Sequence, residues 1–118
     1  MTADTTILLV EDNNDLADLY QHYLDTAYEV RLAQTGQEAL DKATPAVDLI
    51  ILDYKLPDIS GIEVQEQLRS DDLTIPTVMI SGTDPEVLRD GDKALIWLVK
   101  PFYKEELQEA IEEVLTHN

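Results

Sequence analysis

Short apolar stretches alternate with segments of helical periodicity along the whole chain, and this alternation constrains the fold more than any other feature. Five stretches have the pattern of strands, over 6–10, 28–33, 48–53, 76–81 and 94–99. Helical patterns follow them over about 14–25, 35–43, 61–69, 85–91 and 103–116. Strands that alternate with helices indicate a parallel sheet with right-handed crossovers and helices on both faces. The sequence therefore predicts an α/β fold with a doubly wound, five-stranded parallel sheet.

Two of the predicted helices carry their apolar residues on one stripe, at the spacing i, i+3, i+4, i+7, i+8. In the first, which opens at Asn14 or Asp15, the stripe is Leu16, Leu19, Tyr20, Tyr23 and Leu24. In the last helix it is Leu107, Ala110, Ile111, Val114 and Leu115. Thr35 and Glu38 have the spacing of a capping box, which predicts the start of the second helix.

The third predicted strand ends on a carboxylate. An apolar run over 49–52 leads into Asp53, and the turn formers Pro57 and Gly61 follow. Such a run is typical of a strand that is buried on both faces of a parallel sheet. Functional groups of these sheets gather beyond the carboxyl ends of the strands. The polar residues at those ends are therefore expected to lie together, and they are Glu11, Asp12, Asp53, Ser81 and Lys100.

These strand ends have the composition of a phosphoryl-transfer site. Three carboxylates at roughly 5 Å repel by about 3 kcal/mol per pair at an effective dielectric constant of about 20, so a cation would stabilise them. Mg²⁺ prefers such oxygen ligands. An Asp held beside the metal, here Asp53, can attack a phosphoryl group and form an aspartyl phosphate. Lys100 would neutralise the transferring oxygens, and Ser81 would donate a hydrogen bond to one of them.

Each of these residues also has a plain structural interpretation when it is taken alone. Glu11 and Asp12 suit a solvated turn before a helix, Asp53 a cap, and Ser81 a strand-ending turn. Lys100 suits an exposed loop. Two histidines, His22 and His117, are isolated in the sequence and are predicted to be surface residues.

Four segments in this order and spacing, "LLVEDN", "LDYKLPDISG", "MISG" and "LVKPF", resemble the receiver domains of two-component response regulators. The resemblance covers essentially the whole chain and implies one receiver domain over residues 1–118. It also implies the strand order 2-1-3-4-5 of flavodoxin-like folds, which chemotaxis receivers share.

The resemblance assigns a role to each residue at the strand ends. It implies that Asp53 is the phosphoacceptor and that Mg²⁺ is the cofactor. Asp12 resembles the direct metal ligand and Glu11 its outer-shell partner. The main-chain carbonyl of Lys55 would complete the protein's share of the metal site.

The remaining matches concern the response to phosphorylation. Ser81 corresponds to the switch hydroxyl, Lys100 to the phosphate-pairing lysine and Pro101 to the cis proline of the family. Trp97 occupies the position of the switch aromatic, although an aromatic within "ALIWLV" is also expected in a core.

Receivers take a phosphoryl group from a phosphohistidine of a sensor histidine kinase or phosphotransfer protein. By resemblance, this chain would be a signalling phosphoacceptor and not an enzyme, with slow autodephosphorylation as its only further activity. A phosphorylation-independent interaction module is the alternative, although every active-site residue type is present. A Mg²⁺-dependent phosphatase of the haloacid dehalogenase type ranks last, because it needs an Asp at position 55, where this chain has Lys55.

Three features depart from the family pattern. Lys100 comes only 19 positions after Ser81, which predicts a shortened fourth helix over 85–91. Lys93 stands where the family usually has Gly, and the segment "DKALIWLV" is unusually apolar. All three fall on the face that receivers use for output and for dimerisation, and a homodimer through this face is implied.

The chain carries 25 acidic residues against eight lysines and arginines, which gives a formal net charge of −17. This charge disfavours direct binding to nucleic acid. Either a halophilic source or an ordinary acidic domain accounts for it, and stability measured between low and molar KCl would distinguish them. The chain has no cysteine and no apolar run that would span a membrane, so we expect a cytoplasmic protein without membrane contact.

Overall fold

A five-stranded parallel sheet forms the centre of the molecule, in a computed structural model that describes residues 5–82 and 96–116. The strands are β1 (Thr6–Val10), β2 (Glu29–Ala33), β3 (Leu49–Asp53), β4 (Thr77–Ser81) and β5 (Ile96–Val99). They pair in the order β2-β1-β3-β4-β5, and every pair is parallel. The predicted fold class and strand order are therefore confirmed.

Four helices connect or follow the described strands. They are α1 (Asn14–Leu24), α2 (Gly36–Lys42), α3 (Gly61–Ser70) and α4 (Lys104–Thr116). The short helix predicted over 85–91 lies outside the described residues, as do Lys93 and His117. None of the helices in the described ranges has the length and apolar content that crossing a bilayer requires.

The sheet is buried on both faces because the helices cover it from two sides. Ile7 and Leu9 of β1 point into a cluster that includes residues of α1 and α4. The alternate residues Leu8 and Val10 point into a second cluster, which includes residues of α2 and α3. The strands β1, β3 and β4 are buried along their whole length, which explains their continuous apolar sequences.

Side-chain caps define where the first three helices begin. Asn13 accepts a hydrogen bond from the Leu16 N–H, and Thr35 accepts one from the Glu38 N–H at 3.0 Å. The predicted capping pair of Thr35 and Glu38 is thus half right, because the Glu38 carboxylate accepts the N–H of Gln34 instead. A full capping box occurs at α3, between Ser60 and Glu63, which have the spacing S-x-x-E.

The apolar stripe predicted for α1 is wrong at one position. Leu19 is 41% exposed, whereas Ala17, Tyr20 and Leu24 are buried. At 3.6 residues per turn, Leu19 lies about 100° around the helix from Tyr20, on the side opposite Ala17. The small Ala17 therefore marks one edge of the buried arc, and Leu19 falls outside the other. The stripe of α4 is as predicted, with Leu115 at its partly buried margin.

Candidate functional site

The carboxyl ends of β1, β3, β4 and β5 bring the predicted site residues to one edge of the sheet. Register places Asp53 beside Ile80 and Ser81 beside Val99. Glu11, Asp53 and Ser81 are buried there, although all three are polar. Asp12 is exposed at the same edge. Burial of a polar side chain costs free energy unless the side chain has a hydrogen-bond or ion-pair partner. The partners of these residues therefore determine what the site can do chemically.

Three carboxylates gather at this edge. Glu11, Asp12 and Asp53 each offer an oxygen, and these oxygens all lie within 4.8 Å of one another. Glu11 has no solvent exposure at all (0%), so water does not screen its charge. A set of oxygen donors this close fits a hard divalent cation such as Mg²⁺, which would reduce the repulsion among them.

Lys100 bridges two of these carboxylates. Its Nζ donates to Glu11 Oε1 at 2.9 Å and to Asp53 Oδ2 at 2.8 Å. The main chain holds the lysine in place, since its N–H donates to the Ser81 carbonyl at 2.8 Å. The peptide bond from Lys100 to Pro101 is cis. The Lys100 ammonium therefore forms ion pairs with two buried carboxylates, which lie at the ends of two different strands.

The electrostatics of the pair follow from burial and hydrogen bonding. Burial raises the pKa of Glu11 above its ordinary value, and the bonds from Lys100 and from the Asn13 N–H oppose this only in part. Burial alone would lower the pKa of Lys100, but the hydrogen bonds to Asp53 and Glu11 outweigh it and raise that pKa. The Lys100 side chain is consequently positively charged at neutral pH.

The loop after β3 is fixed against the start of α3. Asp53 Oδ1 accepts the Lys55 N–H at 3.1 Å, and the Tyr54 carbonyl accepts the Gly61 N–H at 2.7 Å. A Cβ on Gly61 would lie 2.5 Å from the Asp53 carbonyl oxygen and 3.1 Å from the sulfur of Met79. The absence of a side chain at Gly61 therefore allows the first residue of α3 to lie against the end of β3. The sequence-based prediction of Gly61 as a turn former does not include this role.

Trp97 lies partly buried in the cluster on the side of α2 and α3. Its ring centroid is 6.2 Å from that of Tyr54, with the ring planes tilted by 44°. Tyr54 directly follows Asp53, and no periodic pattern in the sequence indicates that it lies beside Trp97. His22 is exposed, as predicted.

The sequence model of one protein family, described as "Response regulator receiver domain", matches residues 7–112. The chain belongs to this family. Two relatives give the scale of the similarity. The receiver is 37% identical over 118 residues to the alkaline phosphatase synthesis transcriptional regulatory protein PhoP of Bacillus subtilis, covering 92% of this chain and 48% of that protein. It is 32% identical over 117 residues to a putative transcriptional regulator of Haloferax volcanii, covering 98% of this chain and 20% of that protein.

The receiver thus spans a fifth to about half of the length of these two relatives. Solved structures resemble it over nearly its whole length. Chemotaxis protein CheY4 of Vibrio cholerae matches with a TM-score of 0.85 and 34% identity, covering 96% of this chain and 100% of that one. Response regulator TrrA of Thermotoga maritima, solved in complex with Mg²⁺-BeF, matches with a TM-score of 0.82 and 29% identity, covering 94% and 99%. The flavodoxin-like fold of chemotaxis receivers is therefore established for this chain.

Proposed function

We propose that this receiver accepts a phosphoryl group on Asp53 from the phosphohistidine of a sensor histidine kinase or a phosphotransfer protein. The observation that carries the proposal is the position of the Asp53 carboxylate. It lies buried at the tip of β3, shares Lys100 with Glu11, and stands within 4.8 Å of two further carboxylates. A carboxylate in such surroundings is held in one orientation, which favours attack on an incoming phosphorus.

The two oxygens of Asp53 are held differently. Oδ1 accepts the Lys55 N–H, and Oδ2 accepts the ammonium of Lys100. In the proposed transfer, an Asp53 oxygen forms a bond to phosphorus while the bond from phosphorus to the donor's imidazole nitrogen breaks. The electron pair of that bond goes to the nitrogen of the leaving imidazole, and that nitrogen is the atom that takes up a proton.

The acidic cluster fits Mg²⁺, since all of its donors are oxygens and Glu11 and Asp53 are buried. We propose Asp12, Asp53 and the Lys55 carbonyl as the protein's ligands, with Glu11 behind them. Bound Mg²⁺ would neutralise charge on the transferring oxygens. Lys100 would contribute a second positive charge by turning from Glu11 towards the phosphoryl group. In the unmodified protein the hydrogen bonds to Asp53 and Glu11 raise the pKa of Lys100, so the side chain is charged at the start of this step.

Ser81 and Trp97 are the proposed switch residues. Ser81 ends β4, the strand beside β3, so its hydroxyl can move towards a phosphoryl oxygen on Asp53. Trp97 pairs with Met79 in the same sheet and already contacts Tyr54. A shift of Ser81 would therefore change the surroundings of an indole that is linked to the phosphoacceptor through its neighbour.

The proposed output surface lies on β5 and the start of α4. Two large hydrophobic residues are exposed there, Val99 at 44% and Tyr103 at 76%. A second receiver or an effector could cover them, and transcriptional regulators are among the relatives. With a net charge of −17, we propose that the chain itself does not bind nucleic acid and acts through such a partner. The assembled acidic cluster and Lys100 give no support to a phosphorylation-independent module.

Mg²⁺ is expected to raise the melting temperature of the unmodified receiver, because a cation that binds only the folded site relieves the repulsion among its carboxylates. At 100 times its dissociation constant, a ligand of this kind stabilises by about 2.7 kcal/mol. The Asp12→Ala variant should lose most of this stabilisation, as measured by thermal unfolding with and without Mg²⁺.

Glu109→Ala is a suitable control for this measurement, since it removes one exposed carboxylate from α4. It should keep the full response to Mg²⁺. If Asp12→Ala responded as strongly as wild type, the metal would be binding to the acidic surface in general, and the proposed site would be wrong.

Beryllofluoride with Mg²⁺, a mimic of the phosphoryl group, is expected to change the emission of Trp97. Trp97 is the only tryptophan in the chain, so the signal has one source. A complete reversal of a two-state equilibrium needs about 5.5 kcal/mol of differential binding, and we expect a partial shift. Ser81→Ala should reduce the change. Unaltered emission at saturating mimic, with binding at Asp53 verified, would assign Trp97 to core packing alone.

A further inference from the structure

The loop between β3 and α3, residues 54–60, is attached to a helix that is distant in sequence. Asp58, near the middle of this loop, accepts hydrogen bonds from the Gly36 N–H at 2.7 Å and the Gln37 N–H at 2.9 Å. These are the first two residues of α2. Asp58 therefore joins the loop that follows Asp53 to the amino end of α2, 21 and 22 residues earlier in the chain.

The two Asp58 oxygens complete the cap of α2. The first N–H groups of a helix have no partner within it, and Thr35 satisfies the N–H of Glu38 only. Asp58 satisfies the two preceding ones, and its negative charge is favourable at a helix amino end. The hydrogen bonds from Gln37 and Gly36 lower the pKa of Asp58, as expected for a carboxylate that is held in its charged form.

Gly36 makes a second contact with the same loop. A Cβ at this position would overlap Cγ1 of Ile59, would lie 2.8 Å from its Cδ1, and would lie 3.2 Å from Asp58 Oδ1. The loop therefore packs directly on the α2 backbone, and the missing side chain at Gly36 makes room for it. Asp58 and Ile59, seated on Gly36 and Gln37, are called the α2 latch below.

The α2 latch lies close to the part of the loop that borders the acidic cluster. Lys55 forms an isolated antiparallel bridge with Ser60, so the loop closes on itself around Asp58 and Ile59. The Lys55 N–H also donates to Asp53 Oδ1. A displacement at Asp58 would therefore be passed through a short, closed turn to the peptide groups of Lys55.

We propose that Asp58 is a positioning residue of the metal site: through the α2 latch, it holds the Lys55 carbonyl where Mg²⁺ binds. This inference rests on the proposed function, which makes that carbonyl a ligand. A loop that is already ordered loses less conformational freedom when it binds a ligand, so the latch increases the affinity for Mg²⁺. Removal of groups that orient metal ligands typically weakens metal affinity by at least about tenfold.

The test is a calorimetric titration of the unmodified protein with Mg²⁺ alone, which reports binding without phosphoryl transfer. Asp58→Ala is expected to raise the dissociation constant about tenfold. Asp58→Asn keeps one accepting oxygen and should give an intermediate value. Gly36→Ala keeps the Asp58 carboxylate but pushes Ile59 away from α2, and it should also weaken binding. Glu109→Ala removes an exposed carboxylate far along the chain and should bind as wild type does.

The titrations separate failure of the latch from failure of the proposed site. If wild type bound Mg²⁺ and Asp12→Ala did not, but Asp58→Ala and Gly36→Ala bound as tightly as wild type, the latch would be only a helix cap. A lower melting temperature with an unchanged dissociation constant would have the same meaning. If wild type bound no Mg²⁺, the proposed function would fail and this inference with it. Gly36→Ala decides the question if Asp58→Ala does not fold.

Discussion

The Asp53→Asn variant is expected to acquire no phosphoryl group when it is incubated with a small phosphodonor and Mg²⁺, whereas wild type should gain one. The substitution keeps the size of the side chain and its place at the buried tip of β3. It replaces one of the two carboxylate oxygens by an amide nitrogen. The replaced atom is either Oδ2, which accepts from Lys100 at 2.8 Å, or Oδ1. An amide is a far weaker nucleophile than a carboxylate, so the adduct should be absent from the intact mass spectrum.

Asp18→Asn is the matched control for this experiment. Asp18 is exposed on α1, and the same loss of one negative charge there should leave the adduct unchanged. The acceptor would have to be another residue if Asp53→Asn gained a phosphoryl group at the wild-type rate. Small donors make the result independent of any kinase that recognises the surface of the protein.

The positions of β1, β3 and β4 could be predicted closely because these strands are buried on both faces. The observed β1 has the bounds predicted for it, and β2, β3 and β4 each begin one residue later than predicted. A short apolar run between polar turns has little freedom to shift its register. The rule that functional residues follow the strand ends then brought Glu11, Asp53 and Lys100 together without any knowledge of distances.

The way these groups share partners could not be predicted in the same manner. Nothing in the spacing shows that one ammonium, that of Lys100, bridges Glu11 and Asp53, since the three residues come from different strands. The α2 latch is a similar case. Gly36 lies between β2 and β3 and Asp58 lies between β3 and β4, so the two residues are in contact only in the folded structure. Such contacts depend on tertiary packing, whereas the capping pattern of Ser60 and Glu63 was present locally and could have been recognised.

Replacement of Lys100 by methionine is expected to cost about 3–5 kcal/mol of unfolding free energy at pH 8 without Mg²⁺, the usual effect of removing one partner of a buried ion pair. The Lys100 side chain is only 18% exposed, and its two partners are more deeply buried. Methionine retains most of the apolar stem but leaves Glu11 and Asp53 without their cation. Denaturant unfolding monitored by circular dichroism would measure the loss.

The dependence of this loss on pH has a definite sign. Burial already raises the pKa of Glu11 in the folded protein, and the loss of Lys100 would raise it further. The folded variant then binds a proton more readily than the unfolded chain does. Protonation of Glu11 therefore contributes stability that is fully present below the pKa of Glu11 in the unfolded chain. This contribution is lost as pH rises through the pKa of Glu11 in the folded variant. The difference from wild type should therefore be smaller at pH 5 than at pH 8.

Two further variants identify the cause of the effect. Lys104→Met removes an exposed lysine from the first turn of α4 and should change stability little. Combining Lys100→Met with Glu11→Gln should recover part of the loss, because one buried charge disappears together with its partner. Mg²⁺ should also restore stability to Lys100→Met, since it supplies another cation to the same carboxylates. Equal unfolding free energies for Lys100→Met and Lys104→Met would mean that the bridge contributes nothing to the fold, and that Lys100 serves the phosphoryl group alone.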